Sequence, residues 1–155
     1  MNLYLMQHGQ ATLKEIDIEE SLSEKGKEVI KNSAIGLTKI PISFDVIICS
    51  PKKRSKQTAQ IIADVFKFPQ EKIIETEKVK PLTPAEETLD FISEYERVFI
   101  AGHLPSIQEI ISYLLYPTSS LNIDIQNGGC TKLDIERDKN ILKWHLNANI
   151  LKRMI

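Results

Sequence analysis

The chain has 155 residues, a length typical of one domain, and 42% of them are hydrophobic, which is enough to build a substantial core. The 20 basic and 21 acidic residues give a formal net charge of −1, and this balance argues against a nucleic-acid-binding protein. With only two cysteines, Cys49 and Cys130, the chain is not a disulfide scaffold, and we expect both thiols to be free and reduced.

The sequence has no run of about 18 apolar residues, so it predicts no membrane-spanning helix and no membrane partner. Met1–Met6 has neither a basic start nor a long apolar core, which argues against a secretory signal and favours a cytoplasmic protein. No Gly/Ser-rich or Pro-rich linker, repeat or low-complexity tract divides the chain. We therefore expect a single domain over residues 1–155, and we expect it to be a monomer.

Six short segments predict strands. Four of them are rich in Ile, Val and aromatic residues, as buried parallel strands are: Leu3–Met6, Phe44–Cys49, Lys72–Glu75 and Arg97–Ala101. The other two alternate apolar with polar residues, which is typical of strands near a sheet edge: Thr131–Glu136 and Leu142–Leu146.

Apolar residues at helical spacing lie between these strands and predict helices over Val29–Leu37, Thr58–Phe66 and Ile107–Leu115. Ser50-Pro51, Thr83-Pro84 and Pro105 are typical of helix starts, with a capping side chain or a proline at the first helical position. Strands that alternate with helices predict a three-layer α/β/α sandwich with a mostly parallel central sheet.

Two of the three histidines directly follow predicted parallel strands. His8 follows the first strand, His103 comes two residues after the fourth, and Arg54 lies at the start of the helix after the second. Because ligands bind at the carboxyl ends of the strands in α/β sheets, we expect these three side chains at one edge. A neutral imidazole is a nucleophile near pH 7 and a guanidinium binds phosphate oxygens, so the set predicts phosphoryl chemistry. Gly9 and Gly102 would let the backbone approach a ligand closely.

Four segments, in order along the chain, resemble motifs of the histidine phosphatase (phosphoglycerate mutase-like) superfamily. They are Leu5–Gly9, Leu22–Gly26, Ser50–Ala59 and Gly102–Pro105. The last has the form found in SixA-type phosphohistidine phosphatases, and the C-terminal Asn149–Lys152 also resembles that type. The resemblance implies a phosphoglycerate mutase-like fold and a single histidine phosphatase domain.

The resemblance also implies a covalent mechanism in which His8 attacks phosphorus and carries the phosphoryl group. Arg54 and His103 would bind the phosphoryl oxygens, with Gln7 and Gly9 beside them, and water would then release phosphate. No metal or other cofactor is implied. A metal site built from His8, His103 and a cysteine is less favoured, because no His/Cys spacing typical of zinc is present.

At position 7 the chain departs from the family pattern, which has an arginine where this sequence has Gln7. A charge-assisted hydrogen bond to the phosphoryl group is worth roughly 1.5–3 kcal/mol, so we expect slower turnover. Gln7 still provides a neutral hydrogen-bond donor. Lys52 or Lys53 could supply the missing positive charge, although lysines here are also typical of a solvated surface or of contact with an acidic partner.

Glu86 and Glu87 are the candidate general acids, because phosphomonoesterases of this superfamily often use a carboxylic acid from this part of the chain. Thr83 and Glu86 also fit a capping box, in which Glu86 bonds back to the helix start, and Glu87 fits an exposed helix face. A phosphohistidine substrate needs less help from an acid, because imidazole is a better leaving group than an alkoxide.

Three functions therefore stay open. The leading prediction is a phosphohistidine phosphatase that acts on a phosphorylated protein, since 155 residues leave little room for the insertions that cover the site in mutase-type relatives. The second is a small-molecule phosphomonoesterase of the same superfamily. The third is a weakened or non-catalytic phosphate-binding module, because Gln7 replaces the usual arginine.

Overall fold

The computed structural model describes residues 1–116 and 121–155 of the chain. Within these ranges the strands are β1 (Asn2–Gln7), β2 (Val46–Cys49), β3 (Ile73–Glu75), β4 (Arg97–Gly102), β5 (Cys130–Ile135) and β6 (Asn140–Leu146). The α-helices are α1 (Glu24–Leu37), α2 (Lys53–Phe66), α3 (Ala85–Ile92), α4 (Ser106–Leu115) and α5 (Ala148–Lys152). The six predicted strands and the three predicted helices are confirmed.

The strands form one mixed sheet in the order β3-β2-β4-β1-β5-β6. The pairs β1–β4, β2–β4 and β2–β3 are parallel, whereas β5 runs antiparallel to both β1 and β6. The strands with alternating patterns thus lie at and beside one edge, as predicted. The mostly parallel sheet follows because helices connect the first four strands.

Strand β1 shows why both faces of the sheet are covered. Tyr4 and Met6 pack in a core with residues of α1 and α2, and Leu3 and Leu5 pack in a second core with residues of α3 and α4. Successive strand residues point to opposite faces, so one apolar strand serves both cores. The result is the predicted three-layer α/β/α sandwich.

The predicted helix starts are wrong by one to two residues, because helices α2, α3 and α4 begin after the prolines rather than at them. Their N-cap residues are Lys52, Pro84 and Pro105, and none of these helices has a side-chain cap hydrogen bond. The physical reason is that the expected caps bond elsewhere: Ser50 to a histidine, and Thr83 to the Glu77 carbonyl.

The parallel strands β1, β2 and β4 end at the same edge of the sheet. Gln7 pairs with Gly102, and Cys49 pairs with Ala101, so the residues that follow these strands lie side by side. No helix in the described part of the chain is long and apolar enough to cross a membrane.

Candidate active site

His8 begins the loop after β1, and its backbone N–H donates to the Gly102 carbonyl at 3.0 Å. Its ring Nδ1 lies 2.7 Å from the Gly9 carbonyl oxygen, which can only accept, so Nδ1 carries the hydrogen. Burial lowers the pKa of His8 below its usual value, which favours a neutral ring near pH 7. The lone pair of the neutral ring is therefore on Nε2.

Gly9 holds the loop after β1 against α1 and α2. Its N–H donates to Thr58 Oγ1 at 3.1 Å and its carbonyl accepts from His8, so both of its backbone groups are already used inside the protein. A Cβ at this position would lie 2.8 Å from Ile30 Cγ1 and 2.9 Å from the Gly26 carbonyl oxygen. The close approach that requires glycine in this structure is to α1, and an approach to a ligand stays a prediction.

Gly102, like Gly9, lies where the backbone packs closely against a helix. A Cβ there would lie 3.2 Å from Ile107 Cγ1, so this glycine lets β4 pack closely against α4. Its carbonyl accepts from His8, which ties the loops carrying the two site histidines together.

Arg54 lies in the first turn of α2, and its side chain is only 16% exposed. Its Nε–H donates to His8 Nε2 at 3.2 Å, and its Nη1 lies 3.7 Å from Glu20 Oε2. The guanidinium lowers the pKa of His8, whereas the carboxylate of Glu20 raises it. Arg54 thus contacts His8 directly, as the shared sheet edge predicts.

His103 is 1% exposed, and its ring centroid lies 4.9 Å from that of His8. Burial lowers the pKa of His103 to about 3, with further lowering by the neighbouring His8, Arg54 and Lys52. The second histidine is therefore neutral at physiological pH and acts as a hydrogen-bonding group rather than a cation.

Ser50 sets the tautomer of His103. Ser50 Oγ lies 2.6 Å from His103 Nε2, and it accepts from the backbone N–H of Lys52 at 3.3 Å. When the hydroxyl hydrogen points to Nε2, the ring hydrogen of the neutral imidazole is on Nδ1. Nδ1 is buried and has no hydrogen-bond partner within the described residues, so it can donate to a bound oxygen.

Gln7 ends β1 beside these groups, and its backbone carbonyl accepts from Gly128 N–H at 3.0 Å. Its side-chain Oε1 is buried without a hydrogen-bond partner in the described ranges. Rotation of the amide by half a turn exchanges oxygen and nitrogen, so the same position can present an N–H donor. The side chain is therefore an uncharged group with unused hydrogen-bonding capacity.

Glu86 and Glu87 both have partners away from the two histidines. Glu86 Oε1 accepts from the Tyr113 hydroxyl at 3.2 Å, and Glu87 Oε2 accepts from Lys78 Nζ at 2.7 Å. The capping box is wrong, because Pro84 is the N-cap of α3 and the Thr83 hydroxyl is used elsewhere. Neither carboxylate contacts His8, Arg54 or His103 in the described hydrogen bonds and ion pairs.

The two lysines after Ser50 differ in their surroundings. Lys53 Nζ pairs with Glu19 Oε2 at 2.7 Å, so its charge is partly neutralised. Lys52 has no ion pair in the described part of the chain, and its charge lowers the pKa of His103. Lys52 and Glu87 both line a cleft of about 510 Å³.

Several residues complete the site without having been singled out in the sequence. Asn127 Nδ2 donates to the His8 carbonyl at 2.8 Å, and the Thr58 hydroxyl donates to the Arg54 carbonyl at 2.8 Å. Glu20 lies beside Arg54, in a loop whose residues show no periodic pattern. Ser50 was interpreted as a helix cap, yet its hydroxyl bonds to His103.

Cys49 and Cys130 are buried free thiols, as expected. Burial raises the pKa of both, that of Cys49 to about 11. Among residues 1–116 and 121–155, no group of three or more His, Cys, Asp and Glu side chains could hold a metal ion. The alternative of a metal site made from His8, His103 and a cysteine therefore has no support in the geometry.

This arrangement has the parts needed for phosphoryl transfer. A neutral imidazole offers a lone pair, a guanidinium contacts it, and a second imidazole has an unused buried nitrogen. Such groups can bind phosphoryl oxygens and accept phosphorus on nitrogen.

Comparison with known proteins identifies the class. The sequence profile of the histidine phosphatase superfamily (branch 1) matches residues 3–80, a range that includes His8 and Arg54. The chain belongs to this superfamily, and its enzyme class is phosphatase. No curated protein sequence matches the chain.

Solved structures confirm the phosphoglycerate mutase-like fold over nearly the whole chain. The protein histidine phosphatase SixA in complex with tungstate is 17% identical to this chain, with a TM-score of 0.86. The match covers 98% of this chain and 100% of that chain. A proposed phosphohistidine phosphatase SixA from Agrobacterium tumefaciens is 21% identical, with a TM-score of 0.76 and coverage of 94% and 97%. A phosphoserine phosphatase mutant from Entamoeba histolytica, in complex with phosphoserine, is 17% identical, with a TM-score of 0.74 and coverage of 97% and 98%.

Proposed function

We propose that the protein is a phosphohistidine phosphatase, which removes phosphate from a phosphorylated protein through a covalent intermediate on His8. One observation carries this proposal: the bond from Nδ1 to the Gly9 carbonyl leaves the lone pair on Nε2, the nitrogen that Arg54 contacts at 3.2 Å. The predicted single domain over residues 1–155, monomeric state and cytoplasmic location belong to the same proposal, as does the expectation of no nucleic-acid or membrane partner.

In the first step, the Nε2 lone pair of His8 forms a bond to phosphorus. The P–N bond of the substrate phosphohistidine breaks, and its imidazole keeps the electron pair and takes a proton from water. Arg54 turns its N–H groups from His8 to the phosphoryl oxygens, and His103 donates from Nδ1. Gln7 contributes an uncharged donor at the same edge, and Gly9 holds the His8 ring in the reactive tautomer.

In the second step, water attacks the phosphorus carried by His8. The bond between phosphorus and Nε2 breaks, the electron pair returns to the ring, and inorganic phosphate leaves. Because burial and Arg54 lower the pKa of His8, the neutral ring is regenerated near pH 7. The proposal requires no metal and no cofactor.

The surroundings of Glu86 and Glu87 support phosphohistidine as the substrate. Both carboxylates already bond to other side chains, so neither is free to protonate an alkoxide leaving group. Imidazole leaves with less help than an alkoxide does. A substrate that needs no strong general acid therefore suits this site.

A small-molecule phosphomonoesterase is the alternative that one observation favours. Glu87 shares a cleft with Lys52, whose charge acts on His103, so a movement of Glu87 from Lys78 would bring a carboxylic acid towards the site. A weakened phosphate-binding module is the other alternative, favoured by the uncharged Gln7 with its unused Oε1.

The test compares wild type, His8→Ala and the matched control His145→Gln on a phosphohistidine protein and on an aryl phosphate. We expect wild type and His145→Gln to prefer the phosphohistidine protein, and His8→Ala to lose turnover. Rapid quenching should trap phosphate on His8. Equal turnover by wild type and His8→Ala would contradict the covalent mechanism, a preference for the aryl phosphate would favour the phosphomonoesterase, and phosphate binding without turnover would favour the binding module.

A further inference from the structure

A groove of about 680 Å³ opens between α1, α5 and the loop before β5. Carboxamide side chains dominate its lining: Gln10, Asn32, Gln126, Asn127 and Asn149. We call it the amide groove. Because a carboxamide both donates and accepts hydrogen bonds, these side chains could bind main-chain groups of a ligand.

The amide groove begins at the candidate active site. Gln10 comes directly after His8-Gly9 in the chain, and Asn127 donates its Nδ2–H to the His8 carbonyl at 2.8 Å. Both residues line the groove, so its near end lies within two residues of the nucleophile.

Three of the carboxamides are available to a ligand. Gln10, Asn32 and Asn149 are partly or fully exposed. Within residues 1–116 and 121–155, their side chains form no hydrogen bond with the protein. Each carboxamide both donates and accepts, as each peptide unit of an extended chain does. The groove therefore offers hydrogen-bond donors and acceptors to the main chain of an extended peptide.

The charges at the groove favour an acidic ligand. Lys25 and Lys152 line it, both are exposed, and neither forms an ion pair within the part of the chain that the structure describes. Glu28 is the acidic residue in the lining. Two ammonium groups against one carboxylate leave the groove net positive, which complements glutamate or aspartate side chains.

The length of the groove fits a short peptide. Lys25 and Asn32 mark its extent along α1, and two turns of helix span about 10 Å. An extended chain advances by about 3.3 Å for each residue, so roughly three residues fit. A free phosphorylated amino acid would leave most of the groove empty.

We infer that the amide groove binds an extended, acidic segment of the substrate protein next to its phosphohistidine. This inference rests on the proposed function, because it assigns a docking site to the same reaction. The carboxamides bind the main chain of the segment, and Lys25 and Lys152 bind its acidic side chains. The groove thus selects the substrate protein, while the histidines and Arg54 bind the phosphoryl group.

The experiment uses phosphohistidine peptides flanked by glutamate, by alanine or by lysine residues, together with free phosphohistidine. For wild type, we expect KM for the glutamate peptide to be about tenfold below that for the lysine peptide, with similar kcat. The double variant Lys25→Glu/Lys152→Glu should lose or reverse this preference. Lys31→Glu/Lys39→Glu is the matched control, because it makes the same charge change at two exposed lysines outside the groove.

The carboxamides have a separate test. Asn32→Ala/Asn149→Ala should raise KM for all three peptides alike and leave free phosphohistidine unaffected, since it removes partners of the main chain. Equal KM for the three peptides with wild type would overturn the inference. So would an equal loss of preference in Lys31→Glu/Lys39→Glu, because the effect would then belong to overall charge.

Failure of the proposed function is distinguishable from failure of the groove. If the enzyme hydrolyses an aryl phosphate but no phosphohistidine compound, the proposed substrate class is wrong. The proposed role of the groove is then tested by peptide binding alone. Fluorescence anisotropy of an unphosphorylated glutamate peptide should then show binding to wild type and loss in Lys25→Glu/Lys152→Glu. No binding, or binding unchanged in the double variant, overturns the inference.

Discussion

Arg54 donates its Nε–H to Nε2 of His8 over 3.2 Å, so a guanidinium lies directly against the nitrogen proposed to attack phosphorus. The contact has two consequences. The positive charge lowers the pKa of His8 and favours the neutral, nucleophilic ring. In the proposed mechanism the same N–H group moves to a phosphoryl oxygen before the lone pair reacts, so Arg54 would exchange one partner for another during turnover.

Arg54→Ala should therefore change both the rate of turnover and the pKa of His8. We expect kcat/KM on a phosphohistidine protein to fall by about 10²- to 10³-fold, as when one donor to a developing anion is removed. The pKa of His8 should rise, which NMR titration of its ring would measure. Arg137→Ala is the control, because Arg137 lies in the turn between β5 and β6. An unchanged pKa for His8 in Arg54→Ala would show that the guanidinium does not act on the ring.

Gln7→Arg should speed the enzyme. A guanidinium can bind two phosphoryl oxygens, so we expect kcat/KM to rise by about ten- to a hundredfold, equivalent to roughly 1.5–3 kcal/mol. Phosphate binding should also tighten. Gln7→Ala provides the comparison, since it removes the neutral donor as well and should be slower than wild type. A Gln7→Arg enzyme no faster than wild type would show that glutamine is not a weaker substitute for arginine here.

The buried His103 should make stability depend on pH. Its pKa is about 3 in the folded protein against an ordinary value of 6.5, so between these values the unfolded chain binds a proton that the folded chain does not. The free energy of unfolding therefore falls as pH drops from 6.5 towards 3, by about 3 kcal/mol from this group at pH 4. Urea unfolding of wild type and His103→Gln at pH 7 and pH 4 measures the difference.

His103→Gln should lose less stability than wild type on acidification, because glutamine does not titrate. His145→Gln is the control, since His145 is a partly exposed histidine on the edge strand β6. Parallel curves of unfolding free energy against pH for wild type and His103→Gln would contradict the prediction.

Glu20 should weaken the binding of phosphate, because its carboxylate lies 3.7 Å from Arg54 Nη1 and competes for the same guanidinium. In Glu20→Gln we expect the inhibition constant of inorganic phosphate to fall by about two- to fivefold, the size of one partly exposed ion pair. Glu19→Gln is a close control, because Glu19 pairs with Lys53 instead. Equal inhibition constants for wild type and both variants would exclude competition by Glu20.

Local patterns predicted the regular elements well, because their causes are local. Strand β1 and helix α4 each have an apolar periodicity that determines which face is buried, wherever the element packs. The helix starts were less accurate. Ser50 and Thr83 are residue types typical of helix caps. Their hydroxyls instead bond to His103 and to the Glu77 carbonyl, which tertiary packing brings close to them.

The sequence also predicted that His8, Arg54 and His103 lie close together, since residues after parallel strands share one edge of the sheet. The partners of these groups were not. Ser50 and His103 are 53 residues apart, and His8 and Asn127 are 119 residues apart. No local periodicity relates residues at such separations.

The sequence by itself determined the order of strands and helices, the three-layer fold and the edge at which the candidate site residues lie. Only the tertiary structure decided which nitrogen of His8 is free, which hydroxyl orients His103, and which carboxylate lies beside Arg54. The physical reason is that a hydrogen bond depends on distances of a few tenths of an ångström between groups on separate elements. Those distances are set by how the helices and loops dock on the sheet, which the pattern of any single segment does not encode.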